Sequence, residues 1–196
     1  VVSVMPCVAK KYEAQRPELG NSGNSDVDIV ISTRELARMI VDSTQDFVNL
    51  PDSSFDRFMG QSTGAGTIFG STGGVAEATL RTAYEFLTGE ELKEVNFTAL
   101  RGFEKIKETT VNIGGTQINV AVASGLGNAR KLLNDVRDGI KQYHIIEIMA
   151  CPGGCIDGGG QPYMHGNTEI LTKRMNSIYN IDNKKHIRQS HKNPEV

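Results

Sequence analysis

The chain has 196 residues, of which 38% are hydrophobic, and a formal net charge of −2; this is enough apolar material for a globular core. The small net charge, the absence of Trp and the sparse aromatic residues argue against nucleic-acid binding. The sequence has no run of 18 apolar residues and no recognisable signal peptide at its start, so we expect no membrane insertion.

The first part of the chain predicts strands and a helix in alternation. Residues 1–5 form a β-branched run bounded by Pro6, which is typical of a buried parallel strand. Residues 26–32 predict a second strand, after which Ser32 or Thr33 caps a helix. The apolar residues at helical spacing in this helix are Leu36, Met39, Ile40 and, at its far end, Phe47.

The remainder of the chain completes an α/β pattern. Residues 51–74 have little periodicity and many small residues, which predicts a long functional loop. Gly114 and Gly115 predict a hairpin turn, and the charged residues 181–196 form either a surface helix or an unsupported tail. The predicted helices cover residues 75–87, 127–142 and 168–179, and the predicted strands cover residues 94–103, 105–113, 117–123 and 144–150. We therefore predict an α/β fold with mixed, largely parallel sheets flanked by helices.

All three cysteines lie in two compact motifs. Cys151 and Cys155 belong to a Cys-Pro-Gly-Gly-Cys segment that follows an apolar strand, and Cys7 belongs to Met-Pro-Cys-Val-Ala-Lys-Lys. Thiolates are natural ligands of iron–sulfur clusters, and neighbouring glycines let the backbone approach such a centre. Because sites in open α/β sheets form beyond the carboxyl ends of strands, we expect the two motifs to converge.

These motifs resemble two of the three signature motifs of the iron-only (FeFe) hydrogenases. The resemblance continues, in the expected order, through residues 32–36, 64–74, 77–83 and 190–194 and covers essentially the whole chain. The family's third motif, Thr-Ser-Cys-Cys-Pro, lies N-terminal to Met-Pro-Cys, where this chain has only residues 1–4. The resemblance implies that residues 1–196 are part of a two-lobed catalytic domain whose N-terminal part and C-terminal end are missing.

The resemblance also implies a cofactor, the H-cluster, in which a 4Fe-4S cubane is joined to a di-iron subcluster with CO, cyanide and azadithiolate ligands. Cys7 and Cys151 would ligate the cubane, Cys155 would bridge it to the di-iron subcluster, and Lys10 would hydrogen-bond a cyanide ligand. The further candidates are Phe69 and Gly70 beside the di-iron subcluster, Met5 and Met149 as apolar cavity lining, and Gln161 in the cluster loop.

Ordinary structural roles are the alternatives for these residues. Cys7 would be a small buried hydrophobe, Lys10 a solvated lysine like its neighbour Lys11, and Met5, Met149 and Phe69 core residues. Glu13 is either an acid near the site or an exposed helix residue. Another alternative is a zinc site formed by the three cysteines and His165, although the Cys-x3-Cys spacing with intervening glycines favours a cluster.

By this resemblance the chain is a fragment of an enzyme that reversibly reduces protons to molecular hydrogen. A relative that serves in iron–sulfur protein assembly, or one that senses hydrogen, is the alternative. The implied partners are an electron carrier such as ferredoxin, the hydrogenase maturation proteins, and an N-terminal segment or complementary subunit that supplies the missing motif. We expect a cytoplasmic location, with periplasmic and organellar locations as alternatives, and an isolated chain that is inactive.

Overall fold

The computed structural model describes residues 1–21, 23–43, 46–56 and 60–195, which fall into two compact units. The first unit consists of Val1–Asp56 and Asp157–Asn167, and the second consists of Arg57–Ile156 and Thr168–Val196. Both contain helices and strands, with parallel as well as antiparallel pairing. The predicted mixed α/β class is confirmed.

A parallel pair of strands organises the first unit. In this pair Val2 lies opposite Ile29 and Met5 lies opposite Ser32. Within the described part of the unit, the strand Val2–Met5 pairs with the strand Ile29–Ser32 alone, and Val2 is 60% exposed. The prediction of a buried strand is therefore wrong within this unit. The elements of the first unit are β1 (Val2–Met5), α1 (Ala9–Glu13), β2 (Gly20–Asn21), β3 (Asn24–Ser25), β4 (Ile29–Ser32) and α2 (Thr33–Asp42).

Helix α2 begins at a capping box. The Ser32 hydroxyl accepts a hydrogen bond from the Glu35 N–H at 3.2 Å, and the Glu35 carboxylate accepts one from the Ser32 N–H at 2.7 Å. Two donors at the start of the helix are satisfied in this way, which confirms the predicted cap. The helix ends at Asp42, so Phe47 is not part of it and lies in the 3-10 turn Phe47–Asn49.

A three-stranded sheet and four α-helices make up most of the described part of the second unit. In the sheet, the central strand Thr116–Ser124 pairs antiparallel with Ile106–Ile113 and parallel with Ile145–Met149. Gly114 and Gly115 form the predicted turn with φ angles of 57° and 88°, which suits a type I′ hairpin. The elements are α3 (Gly64–Ile68), α4 (Gly74–Thr88), β5 (Ile106–Ile113), β6 (Thr116–Ser124), α5 (Leu126–Arg137), β7 (Ile145–Met149) and α6 (Thr168–Lys184).

Strand β6 forms the centre of the second unit, because both of its faces are covered. Val120 and Val122 pack in a cluster with Leu80 of α4, whereas Ala121 and Ala123 pack in a second cluster with residues of α5. Full burial on both faces explains why this strand has a continuous apolar run at its C-terminal end.

Several predicted elements differ from the structure. The predicted strand at residues 94–103 is wrong, because the Val95 carbonyl accepts a hydrogen bond from the Arg81 side chain and a 3-10 turn follows at Thr98–Leu100. Helix α5 ends before its predicted limit, close to Gly139, which has a φ of 72°. Helix α3 lies inside the predicted loop at 51–74; residues 57–59 of that loop are outside the described residues.

The charged C-terminal segment is packed rather than an unsupported tail. Helix α6 extends to Lys184, beyond the predicted end, and Asp182 on its last turn is completely buried. A 3-10 turn at Ser190–Lys192 follows, and Gln189 before it is 5% exposed. No helix in the described part of the chain is long and apolar enough to span a membrane.

Candidate metal-cluster site

The loop that carries Cys151 and Cys155 is fixed by backbone hydrogen bonds. Within the loop, the Gly154 N–H donates to the Cys151 carbonyl at 3.0 Å. The loop is also bonded to residues 70–72: the Thr72 N–H donates to the Gly153 carbonyl at 3.2 Å, and the Ile156 N–H donates to the Gly70 carbonyl at 2.9 Å. Both cysteines are half-buried and neither forms a disulfide. The two thiols therefore stand at the two ends of one fixed loop.

Gly154 is required for this loop to lie so close to residues 70–72. Its φ is 84°, and a Cβ at this position would lie 2.6 Å from the Thr72 nitrogen and 2.9 Å from the Ser71 carbonyl carbon. A side chain would therefore meet backbone atoms in a conformation that L residues rarely adopt. The residues present fit an iron–sulfur cluster, since the only side-chain heteroatoms on residues 151–155 are the two soft sulfurs that such a cluster takes as ligands.

A buried carboxylate holds the segment beneath the loop. Glu147 on β7 accepts hydrogen bonds from the Gly73 N–H at 2.6 Å and from the Ala76 N–H at 2.7 Å. Both donors are at the beginning of α4, where free N–H groups favour a negative charge. The Thr72 and Ser124 hydroxyls form a further buried hydrogen bond of 2.6 Å. Residues 72–76 are thus connected to β7, which leads to Cys151, and to the end of the neighbouring strand β6.

In the first unit, a glycine-rich segment holds the Cys7 motif. The Gly160 N–H donates to the Pro6 carbonyl at 2.8 Å, and a Cβ on Gly160 would lie 2.9 Å from the Pro6 carbonyl carbon. Arg34 on α2 also contacts this segment. Its backbone N–H donates to the Gly160 carbonyl at 3.1 Å, and its guanidinium donates to the Gln161 carbonyl at 3.0 Å. Gln161 contributes to this contact through its backbone. Cys7 itself is half-buried between β1 and α1.

Met5 and Lys10 line one cavity of the first unit, with a volume of about 270 Å³. Glu13 lines the same cavity and accepts a hydrogen bond from the Lys10 ammonium at 2.5 Å. Lys11 donates instead to Glu35 at 2.5 Å, and this hydrogen bond is the main cause that lowers the pKa of Glu35 to about 2. Lys11, which we expected to be solvated, is thus a half-exposed partner in an ion pair.

The remaining candidates all lie in the second unit. Met149 ends β7, and its carbonyl accepts a hydrogen bond from the Gly125 N–H at 2.7 Å. Gly70 contacts the cysteine loop through Ile156, as described above. Phe69 is 44% exposed and lines an apolar groove together with Phe86. Its role beside a di-iron subcluster stays a prediction.

The predicted ligands are divided between the two units. Cys7 belongs to the first, whereas Cys151 and Cys155 belong to the second. In the described ranges, no three His, Cys, Asp or Glu side chains are grouped to hold one metal ion. His165 is exposed near the Tyr163 ring, with a φ of 50°. The zinc alternative and the cluster ligands both stay predictions.

Sequence reasoning missed Glu147, Thr72 and Lys107. Glu147 had a detectable signal, because a single carboxylate in the apolar strand Ile-Ile-Glu-Ile-Met requires a buried partner. Lys107 alternates with exposed residues on β5, a pattern that is equally typical of a solvated lysine. Thr72 lies in a glycine-rich stretch and had no signal of its own.

Comparison with known families gives two adjacent matches. Residues 1–159 match the family described as iron only hydrogenase large subunit, C-terminal domain. Residues 168–196 match the family described as iron hydrogenase small subunit. The second match was not predicted, and it begins where helix α6 begins.

Individual relatives agree with the first match. The chain is 56% identical over its whole length to the NADP-reducing hydrogenase subunit HndD of Solidesulfovibrio fructosivorans, covering 33% of that protein. It is 52% identical, over 91% of its length, to the periplasmic [Fe] hydrogenase large subunit of Nitratidesulfovibrio vulgaris, covering 42% of it. The chain therefore spans well under half the length of these curated relatives.

A solved structure and an assembly factor complete the comparison. A variant of apo [FeFe]-hydrogenase HydA1 from Chlamydomonas reinhardtii aligns with 99% of this chain and 56% of its own, with a TM-score of 0.78 and 37% identity. The cytosolic Fe-S cluster assembly factor narfl of Xenopus tropicalis is 33% identical over 91% of this chain, covering 39% of that protein. The chain is thus more similar to the hydrogenases than to this assembly factor.

Proposed function

Because the chain belongs to the iron-only hydrogenase large-subunit family, we propose that it forms part of the catalytic domain of a hydrogenase. The proposed reaction combines protons and electrons reversibly into H₂. The observation that carries this proposal is the Cys151–Cys155 loop, fixed to Gly70 and Thr72 by backbone hydrogen bonds and close-packed at Gly154.

The three cysteines would hold the cofactor. We propose Cys7 and Cys151 as ligands of a 4Fe-4S cubane and Cys155 as its bridge to a di-iron subcluster with CO, cyanide and azadithiolate ligands. When bound, this cofactor supplies the electron storage and the iron chemistry with hydrogen. A cubane takes four protein ligands, so the fourth would come from outside these residues.

The side chains around the cysteines would orient and shield this centre. Lys10 already faces a cavity and pairs with a carboxylate there, so its ammonium is placed to donate to another anion, such as a cyanide ligand. Met5 lines the same cavity with a soft, apolar thioether. Gln161 would help fix the Cys7 motif through its backbone contact with Arg34. Met149, Phe69 and Gly70 are the proposed counterparts in the second unit.

The alternatives make different demands on the sequence. An assembly-type relative would not need the segments 69–75 and 158–162, yet residues 70–73 and 160–161 form the contacts that hold the two cysteine motifs. The greater similarity to proteins named as hydrogenases supports the enzyme. A hydrogen sensor shares the motifs, and measured turnover would distinguish it.

The partners and location follow from the same proposal. We propose an electron carrier such as ferredoxin, the hydrogenase maturation proteins, and a segment or subunit that completes the ligand set. The match of residues 168–196 to a small subunit supports a role for this segment in subunit organisation. A cytoplasmic location is proposed, with the periplasm as the alternative because one relative is named as periplasmic.

Infrared spectroscopy of the matured full-length protein tests this function. Iron-bound CO and cyanide give characteristic bands that neither a zinc site nor a simple cubane produces. We expect these bands together with H₂ evolution, and we expect both to disappear in Cys155→Ser but not in Lys184→Ala, a change at an exposed residue of α6. A cubane signal without infrared bands after successful maturation would favour the assembly-type relative.

A further inference from the structure

A buried lysine lies behind the cysteine loop. Lys107 on β5 is only 6% exposed, and its ammonium donates to the Thr72 carbonyl at 3.0 Å and to the Gly102 carbonyl at 2.9 Å. Both of these acceptors are neutral. Burying an ammonium costs free energy unless it gains good partners, so its position calls for an explanation beyond packing.

Thr72 connects this lysine to the cysteine loop. Its carbonyl accepts from Lys107, and its own N–H donates to the Gly153 carbonyl at 3.2 Å, between the two cysteines. Gly154 packs against the same residue, since its Cβ position is 2.6 Å from the Thr72 nitrogen. A shift of Thr72 would therefore move the loop. Lys107 is two hydrogen bonds away from the peptide between the thiols.

A buried carboxylate contacts the next residue of the same segment. Glu147 accepts from the Gly73 N–H at 2.6 Å, and a Cβ added to Gly73 would lie 3.2 Å from the Lys107 nitrogen. Glu104, which is exposed, is the other carboxylate that acts on Lys107. Residues 72–73 thus contact both a buried ammonium and a buried carboxylate.

On the premise of the proposed function, that Cys151 and Cys155 hold an iron–sulfur cluster, we propose that Lys107 positions the cysteine loop through Thr72. We propose further that the buried charges of Lys107 and Glu147 shift the reduction potential of that cluster in opposite directions. Reduction adds one negative charge to a cluster, so a nearby cation favours the reduced form and a nearby anion disfavours it. Charges inside a protein are weakly screened and act over longer distances than surface charges.

Two measurements on the full-length protein test the two parts. Amide hydrogen exchange of the metal-free protein reports positioning: Lys107→Met should speed exchange at Thr72, Gly154 and Ile156 roughly tenfold, through loss of the supporting hydrogen bonds. A redox titration of the cluster-loaded protein measures how the charges of Lys107 and Glu147 affect the reduction potential of the cluster. The potential should become more negative in Lys107→Met and more positive in Glu147→Gln. A merely structural defect would not give opposite signs.

The controls separate the outcomes. Lys105→Met is the same change at an exposed lysine two positions away and should leave both exchange and potential unchanged. Lys107→Gln keeps a hydrogen-bond donor without the charge. It should therefore preserve more of the exchange protection than Lys107→Met, while still making the reduction potential of the cluster more negative. The same variant replaces Lys107→Met in both measurements if Lys107→Met does not fold. Equal exchange in Lys107→Met and Lys105→Met overturns the positioning part, and shifts of the same sign in Lys107→Met and Glu147→Gln overturn the charge part. If the unaltered protein loads no cluster, the proposed function fails, while the exchange measurement still decides the positioning.

Discussion

Arg81 and Asp182 form a two-pronged ion pair in which both side chains are completely buried. Arg81 Nη1 donates to Asp182 Oδ1 and Nη2 donates to Oδ2, each at 2.9 Å. Arg81 belongs to α4, inside the region that matches the large subunit, whereas Asp182 belongs to α6, inside the region that matches the small subunit. The segment with small-subunit similarity is therefore anchored by a buried charge pair.

Loss of Asp182 should destabilise the second unit strongly. Asp182→Ala leaves the Arg81 guanidinium buried without one of its carboxylates, and removing one partner of a buried pair typically costs about 3–5 kcal/mol. Urea unfolding followed by circular dichroism measures the free energy of unfolding. Asp42→Ala breaks the exposed pair with Arg38 and should cost about 0–1 kcal/mol. Similar losses in both variants would contradict the anchoring role of the buried pair.

Acid should loosen the residues that follow α6, through Glu85. Burial alone would raise the pKa of Glu85, but hydrogen bonds from His191, Leu92, Lys192 and Gln189 outweigh it and lower the pKa from 4.5 to about 2. A carboxylate with a lowered folded-state pKa stabilises the fold above its unfolded pKa, and this contribution is lost as pH falls from 4.5 to about 2.

Unfolding free energies measured across this acid range test that assignment. Glu85→Gln should flatten the decline between pH 4.5 and 2. Glu91→Gln changes a carboxylate that is 80% exposed and touches only Lys192 among the ion pairs of the described residues, so it should keep the slope. An unchanged slope in Glu85→Gln would assign the acid sensitivity to other carboxylates.

The sequence predicted the elements whose signals are local. The cap at Ser32 and the hairpin at Gly114–Gly115 were predictable because the residues that form them are within a few positions of each other. The loop that carries Cys151 and Cys155 after β7 was predictable for the same reason, whereas the ligand roles of the cysteines stay predictions. In each case the chemistry of a short segment determines its conformation.

What sequence analysis could not give is the identity of distant partners. Gly73 and Glu147 are 74 positions apart, and neither segment carries a sequence signal that predicts this contact. Residues 94–103 have strand-like composition, but the Arg81 side chain takes the Val95 carbonyl that a neighbouring strand would need. The burial of Asp182 within the charged segment 181–196 could not be predicted for the same reason, because it depends on Arg81 and Arg188.

Alkaline pH should stabilise the second unit through Lys107. Burial lowers the pKa of Lys107 to about 8, although Glu147 and Glu104 act in the opposite direction. Between pH 8 and 10.5 the unfolded chain binds more protons at this residue than the folded chain, so its contribution to stability rises with pH. Unfolding measured at pH 7.5 and 9.5 should show this rise, and Lys107→Met should remove it. The rise should persist in Lys105→Met.

Lys10 and Lys11 should differ in their effect on the cofactor. Both are similarly exposed, at 40% and 43%, and each pairs with a glutamate at 2.5 Å, so they are matched controls for each other. Lys10 lines the cavity that contains Met5. Lys10→Ala should prevent retention of the di-iron subcluster, because its anionic ligands would lose a charge-assisted hydrogen bond typically worth about 1.5–3 kcal/mol.

Lys11→Ala should leave the retention of the di-iron subcluster nearly unchanged, because an exposed ion pair contributes only about 0–1 kcal/mol. Infrared bands of iron-bound CO and cyanide, measured per iron in the matured full-length protein, give the comparison. Equal losses in the two variants would mean that general surface charge acts on the cofactor, rather than a specific contact from Lys10.

Gly154→Ala should prevent the cysteine loop from holding a cluster. The added Cβ would lie 2.6 Å from the Thr72 nitrogen, in a residue whose φ is 84°, so the loop must move away from Thr72 and separate the two thiols from their present support. Gly139→Ala is the matched control: its φ is 72°, but no described atom lies within 4 Å of the added carbon, so it carries only a backbone penalty of about 1 kcal/mol. Both variants are made in the full-length protein and reconstituted anaerobically with iron and sulfide. The iron content per chain should fall sharply in Gly154→Ala and stay near the unaltered value in Gly139→Ala. Full iron content in Gly154→Ala would show that the close packing against Thr72 is not needed to hold the cluster.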